Sequence, residues 1–284
     1  MIKLLFALIL RIFSNPLANV YQKKFCEKNS SLICNFYTYF LLGIFCIPFA
    51  MRVDWQILPK EFWIFALSAG FLCSVGNACL IKALQIGELS VLGPINSYKS
   101  VVGMIIAIIV LHEIPSLLGI LGVVLVIWGS WFVFETQTEG FSLQLLKRKD
   151  ILLRFAALIL MGIEAVFLKK VILLSSPVIS FMLWCWAGAF FGLLLILIFK
   201  KPLKILSKED FSKFVVVCSM LATMQLSTNF VFKYMNVGYA LALFQLSTLV
   251  NLWFGYRFFH ETDMKQKIIG TLIMIFGSVI IILN

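Results

Sequence analysis

This sequence predicts an all-α polytopic membrane protein of ten transmembrane helices, arranged as two inverted five-helix repeats. Three observations predict it. Of 284 residues, 62% are hydrophobic and 13% charged, and the mean hydropathy is +1.02, whereas a soluble domain carries about 25% charged residues. The apolar character is not confined to one leader-like segment but recurs in blocks of membrane-spanning length to the final residues. The two halves of the chain also end on the same pattern: His112 and Glu113 before "GILGVVLVIWGSWFVF", and His260 and Glu261 before "KIIGTLIMIFGSVIII".

At 1.5 Å per residue, about 20 residues cross a hydrocarbon layer of roughly 30 Å. Spans fall at 2–22, 31–51, 61–81, 88–111, 115–134, 150–168, 174–199, 211–232, 238–259 and 266–283. The opening "MIKLLFALIL" resembles a signal peptide, but Arg11 interrupts it and apolar character resumes through "IFSNPLANVY" with no small-x-small cleavage site. It is read as the first span, with a local break at Ser14, Asn15 and Pro16. The fourth and tenth spans, "VVGMIIAIIV" and "IIGTLIMIFGSVIIIL", are apolar on every side, which excludes the alternation of a β-barrel. The fifth begins at Glu113 and Pro115, an acid meeting the positive end of a helix and a proline whose missing donor costs nothing in the first turn. Before the tenth, Asp263 and Gln266 have capping-box spacing. The seven Cys show no metal-ligand pairing and serve as small packing residues. The net charge of +11 is split among short flanking segments, a topology signal rather than a nucleic-acid footprint.

The repeat is regular. Glu113 precedes Gly122 by nine residues and Gly129 by sixteen, and Glu261 stands at the same distances from Gly270 and Gly277. Glycines seven apart share a helix face and let a neighbour approach closely. Upstream, "QIGELSVL" matches "NVGYALAL", and "YQKKF" matches "FLKKV" loosely. An offset of about 146 to 151 residues corresponds to five helices, dividing the chain into residues 1–142 and 143–284. An odd number of spans forces the second copy to enter the membrane from the opposite side, the arrangement by which many secondary transporters reach two related conformations. A duplicated scaffold without transport is the alternative from a different class.

The repeated "HE" before a Gly-spaced terminal helix, with "ACLIKALQIGELSVLGPI" and "NFVFKYMNVGYALALFQL", resembles the drug/metabolite transporter superfamily, specifically its ten-helix EamA-like members. The resemblance covers nearly the whole chain. It implies a carrier whose third, fourth, eighth and ninth helices contribute strongly to a central cavity, and it spans substrates from amino acids and other metabolites to drugs. The family's glycine-glutamate pair is here histidine-glutamate, at His112–Glu113 and His260–Glu261.

Within the spans, ionisable residues need an explanation, because a charge facing lipid costs several kcal/mol. Lys99 lies near the middle of the fourth span, and the matching stretch "LFQLSTLVNLW" has no ammonium. Two readings stand: recognition of an anionic group on a substrate, or an internal pair with Glu164, the acid well inside the sixth span. Glu164 could equally hold a cationic group or carry a proton in coupling. Further candidates for substrate contact are Asn77 in the third span, Asn96 and Tyr98 in the fourth, Gln225 and Asn229 in the eighth, Gln245 and Ser247 in the ninth, and Trp184 in "MLWCWAG" of the seventh. Each amide or hydroxyl also has a plain role in interhelical hydrogen bonding.

No Gly-rich phosphate loop, nucleophile–base pair or metal cluster appears, so neither an ATPase nor another enzyme is expected, and no cofactor or metal. The expected function is secondary transport of a small polar metabolite, amino-acid-like or carboxylate-bearing, by alternating access. An exporter of drugs or lipophilic cations is the alternative within transport; a scaffold or lipid-handling protein is the alternative outside it. The expected partners are a small-molecule substrate, a coupled proton, ion or exchanged solute, and membrane lipids, with no nucleic acid. The chain is expected as a monomer or homodimer in a plasma membrane, a bacterial inner membrane in particular.

Orientation follows from basic residues. Those adjoining odd-numbered connections include Lys23, Lys24, Lys28, Lys82, Lys147, Arg148, Lys149, Lys200, Lys201, Lys204, Lys208, Lys213, Lys265 and Lys267, against Lys3, Arg52, Lys60, Lys169, Lys170 and Lys233 at the N-terminus and even-numbered ones. The positive-inside rule then puts the odd connections in the cytoplasm and both termini outside, the reverse of what the family resemblance implies. In an otherwise Cys-free variant, Leu58→Cys should react with an impermeant thiol reagent added outside and Leu206→Cys should not; the opposite pattern rejects this orientation.

Overall fold

The structure is a computed structural model that describes residues 2–27, 29–87, 92, 95, 98–134, 147–202, 208–259 and 264–283. Among these the elements are helical. They are α1 Ile2–Cys26, α2 Ser31–Ala50, α3 Lys60–Ile86, α4 Tyr98–Leu111, α5 Leu117–Phe134, α6 Lys149–Leu174, α7 Pro177–Ile198, α8 Lys208–Tyr234, α9 in two pieces, Val237–Leu243 and Ser247–Phe259, joined by the 3-10 turn Phe244–Leu246, and α10 Met264–Leu283. Six helices are long and apolar enough to cross a membrane, and four shorter apolar ones accompany them. Large hydrophobic side chains stand on outward faces, among them Phe6, Phe45, Ile64, Phe71, Trp128, Phe190 and Phe276, as lipid contact requires. The chain is a multi-pass membrane protein.

Several helices outrun their apolar blocks. Helices α1, α3 and α6 extend to Cys26, Ile86 and Leu174, because a run of apolar residues stops at the first lysines whereas the backbone's hydrogen bonding does not. The break expected at Ser14–Pro16 is absent: α1 continues through Pro16, the loss of one backbone donor being tolerable within a packed helix. At the start of α7, Pro177 occupies the first turn and the Ser176 hydroxyl accepts from Ile179 N–H at 3.2 Å. The boundary between residues 142 and 143, together with His260, Glu261 and Asp263, lies outside the described residues.

Packing follows the duplication. Helices α2 and α7, α4 and α9, and α5 and α10 pack as pairs, while α1 packs on α8 and α3 on α6. Numbering each repeat one to five, every one of these contacts either joins a helix to its own counterpart or is the mirror of another on the list, as a two-fold relation between the repeats demands. The glycines anticipated from the sequence meet one another. A Cβ on Gly122 would fall 2.7 Å from the Gly277 carbonyl oxygen, and one on Gly129 would fall 2.4 Å from that of Gly270. The pairs α2–α7 and α4–α9 have their own reciprocal contacts, Gly43 under Trp186 with Gly188 under Tyr39, and Gly103 against Leu241 with Gly238 against Met104.

Glu113 organises a helix end, but a different one from that expected. One carboxylate oxygen accepts from Val237 N–H at 2.8 Å at the start of α9, and the other pairs with Lys169 near the end of α6. Lys169 also donates to the Met235 carbonyl at 2.8 Å. His112, with φ 56°, turns the chain out of α4 in a left-handed conformation and sets Glu113 facing the second repeat. Sequence spacing places the acid beside α5, whereas tertiary contact commits it to α9.

Two outcomes follow. Gly129→Leu should separate α5 from α10 at a backbone contact that cannot yield, costing about 1–3 kcal/mol or more, read as a lower melting temperature in detergent; an unchanged melting temperature would contradict the packing. Glu113→Gln should cost about 3–5 kcal/mol by leaving buried Lys169 without its counter-charge, and Lys169→Met in the same chain should recover part of the loss.

Candidate functional site

The helices enclose a central cavity lined by α1, α2, α3, α4, α6, α7, α8 and α9. Its interior is narrow, about 60 Å³ as swept by the centre of a water-sized sphere, room for a few waters. Among the described residues, three charged side chains line it: Arg11 from α1, Lys99 from α4 and Glu164 from α6. Around them stand Asn15, Asn19 and Gln22 of α1, Asn77 of α3, and Gln225 and Thr228 of α8. Tyr39, Cys73, Trp184, Phe232 and Phe244 close the walls.

Lys99 and Glu164 therefore face one chamber. Glu164 is buried and Lys99 half-buried. The ion pairs among the described residues are Arg148–Asp150 and Lys169–Glu113, so these two opposite charges share the cavity without closing on each other. Gly162, two residues before Glu164 on α6, lets α4 come close, since a Cβ there would meet Val102 at 2.9 Å. Arg154 of α6 anchors the region before α4 by donating from Nε to the Leu92 carbonyl at 2.9 Å.

The polar residues named from the sequence divide in two. Asn77, Lys99, Glu164, Trp184 and Gln225 line the cavity. Asn77 Nδ2 donates to Asn35 Oδ1 at 2.7 Å, and Gln225 Nε2 donates to Asn229 Oδ1 at 2.9 Å. Asn229 lies behind the lining, its own Nδ2 donating to the Pro177 carbonyl at 2.9 Å. Gln245 donates to the Leu241 carbonyl at 3.3 Å within α9, and Ser247 is buried at the start of the second piece; neither lines the cavity. Tyr98 is half-buried in a cluster with Leu92, Ile95 and Phe254, away from the lining. Asn96 lies outside the described residues. Trp184 Nε1 and the Tyr39 hydroxyl both meet Cys73 Sγ, at 2.9 and 3.1 Å, and the two rings are edge-on with centroids 4.6 Å apart.

The contribution of α1 was missed. Arg11, Asn15 and Asn19 recur every four residues and Gln22 follows three later, so one face of an otherwise apolar helix carries the stripe. Arg11 is held on two sides. Its Nε donates to Thr228 Oγ1 at 2.9 Å, and its guanidinium carbon lies 4.7 Å from the centroid of the Phe244 ring. Phe244 is presented by the 3-10 turn that interrupts α9.

The sequence pattern of the EamA-like transporter family matches residues 2–135 and again 148–283. Two matches spanning most of the chain, on a fold with this two-fold packing, place the protein in the EamA-like transporter family, whose members are non-enzymatic membrane transporters of small solutes. No curated protein matches the sequence. A solved structure described as "Crystal structure of protein" is similar in fold, with a TM-score of 0.73 over 98% of this chain and 96% of its own at 12% identity.

Proposed function

We propose that this protein is a secondary transporter of a small amino-acid-like solute, working by alternating access around the central cavity. The observation that carries the reading is the pair of opposite charges, Lys99 and Glu164, that line one chamber among amides without pairing. The two charges act on each other across the chamber without meeting, and a solute bearing a carboxylate and an ammonium gives each a partner in contact: Lys99 donates to the carboxylate while Glu164 accepts from the ammonium. Gln225, Asn15 and Asn19 supply further hydrogen bonds, and Trp184 gives an apolar wall. A lipophilic cation would meet Arg11 and Lys99 with Glu164 alone among the described lining residues to offset them, so drug export is disfavoured. Glu164 is also the group placed to carry a coupled proton when the solute leaves. The membrane is a plasma membrane, a bacterial inner membrane in particular.

The narrow chamber fits a carrier between its two open forms, with the helices parting to admit a solute larger than a few waters. The test is counterflow of labelled amino acids into liposomes holding the purified chain. Saturable uptake is expected. Lys99→Met should lower apparent affinity about ten- to hundredfold, the equivalent of one charge-assisted hydrogen bond, in a protein that remains folded and inserted, and Lys99→Arg should be intermediate. Undiminished affinity in folded K99M rejects the role of Lys99, and no counterflow across a broad metabolite panel favours a scaffold.

A further inference from the structure

We infer that Arg11 forms a second anion subsite of the central cavity, so that the solute carries two anionic groups together with its ammonium. This rests on the reading of the cavity as an amino-acid-like site. The guanidinium is nine-tenths buried, with 9% of the residue exposed. Thr228 Oγ1 takes its Nε–H and Phe244 lies against its face, which fixes the plane of the group. Nη1, in contrast, is buried with no hydrogen-bond partner among the described residues. A buried guanidinium N–H without an acceptor is costlier than a neutral donor in the same position, and among the described residues no carboxylate pairs with it. The missing acceptor belongs on the cargo.

Charge counting leads to the same class of solute. Among the described residues lining the cavity, Arg11 and Lys99 are cations and Glu164 is the acid. A zwitterion with one carboxylate answers Lys99 and Glu164 and leaves Arg11 uncompensated. Asn15, Asn19 and Gln22 can hydrogen-bond to a solute but cannot neutralise a guanidinium. A second anionic group completes the match, and the planar fork of arginine suits either a carboxylate or a phosphate ester. An α-amino dicarboxylate or an O-phosphorylated amino acid has this pattern.

The experiment uses the full chain in liposomes and compares inhibition of counterflow by L-glutamate, O-phospho-L-serine and L-glutamine. The wild-type protein should prefer at least one of the two acidic solutes to glutamine by about ten- to hundredfold, the value of one charge-assisted hydrogen bond; which of the two is stronger separates carboxylate from phosphate. Arg11→Gln should erase the preference, and Arg11→Lys should keep part of it. A loss of packing alone would lower all three solutes together and leave their ratio intact, so an unchanged ratio in R11Q overturns the inference. Inhibition by glutamine equal to or stronger than that by both acidic solutes in the wild type overturns it while leaving the amino-acid reading standing; no inhibition by any of the three overturns both. If R11Q does not insert, Thr228→Val removes the hydroxyl that holds Nε, and the ratio should narrow; a ratio matching the wild type's has the same overturning force.

Discussion

Helices immersed in hydrocarbon gain little from hiding apolar side chains, since lipid is as apolar as leucine; what holds them together is how closely their surfaces interlock. In this protein that closeness is set by glycines meeting across the two-fold relation. Gly122 and Gly129 of α5 accept the backbone of α10 at Gly277 and Gly270, leaving no room for a methyl group on either side. The other self-paired helices, α2 with α7 and α4 with α9, use a glycine of one to seat a side chain of the other. These three seams are reciprocal, so each repeat is completed by its inverted copy. The cavity exists because the remaining helices, α1 with α8 and α3 with α6, are held around it.

The shell is symmetric but the lining is not. Cations enter from α1 and α4, in the first repeat, and the acid enters from α6, in the second. A two-fold scaffold lets a carrier present similar walls to either side of the membrane, while an uneven set of charges lets it recognise a cargo with distinct ends. The Glu113–Lys169 pair adds a tie between the repeats, joining the connection after α4 to the ends of α6 and α9. It also shows why an acidic residue recurring at the same place in both halves need not have the role its nearest helix suggests.

Much of this was legible in the residues. Ten apolar blocks, the five-helix duplication and the glycine seam at residues 122, 129, 270 and 277 could all be read directly, because hydrophobic length and a repeated spacing are one-dimensional signals. Lys99 and Glu164 could be marked as needing an explanation, since a charge in hydrocarbon stands out. What could not be read was which polar groups converge. Asn77 and Gln225 line the cavity, while Asn229, Gln245 and Ser247, similar in type and burial, sit behind it or bond within their own helices. Rotation of a helix about its axis decides that, and an apolar helix surrounded by lipid on one side and protein on the other carries only a weak record of its rotation. On α1 the record was stronger, with Arg11, Asn15 and Asn19 in register, but the proline between them suggested a break and hid the stripe.

The 3-10 turn at Phe244–Leu246 joins two α-helical pieces of α9 and places an aromatic ring against Arg11. A 3-10 residue advances about 2.0 Å and turns about 120°, against about 1.5 Å and 100° for an α-helical one. Rewinding these three residues into α form would therefore draw the two pieces together by about 1.5 Å and rotate one against the other by about 60°. The position of the ring over the guanidinium is tied to that rotation. A span built in this way is a screw thread with two pitches, in which axial length and the bearing of the ring beside a charge cannot change separately.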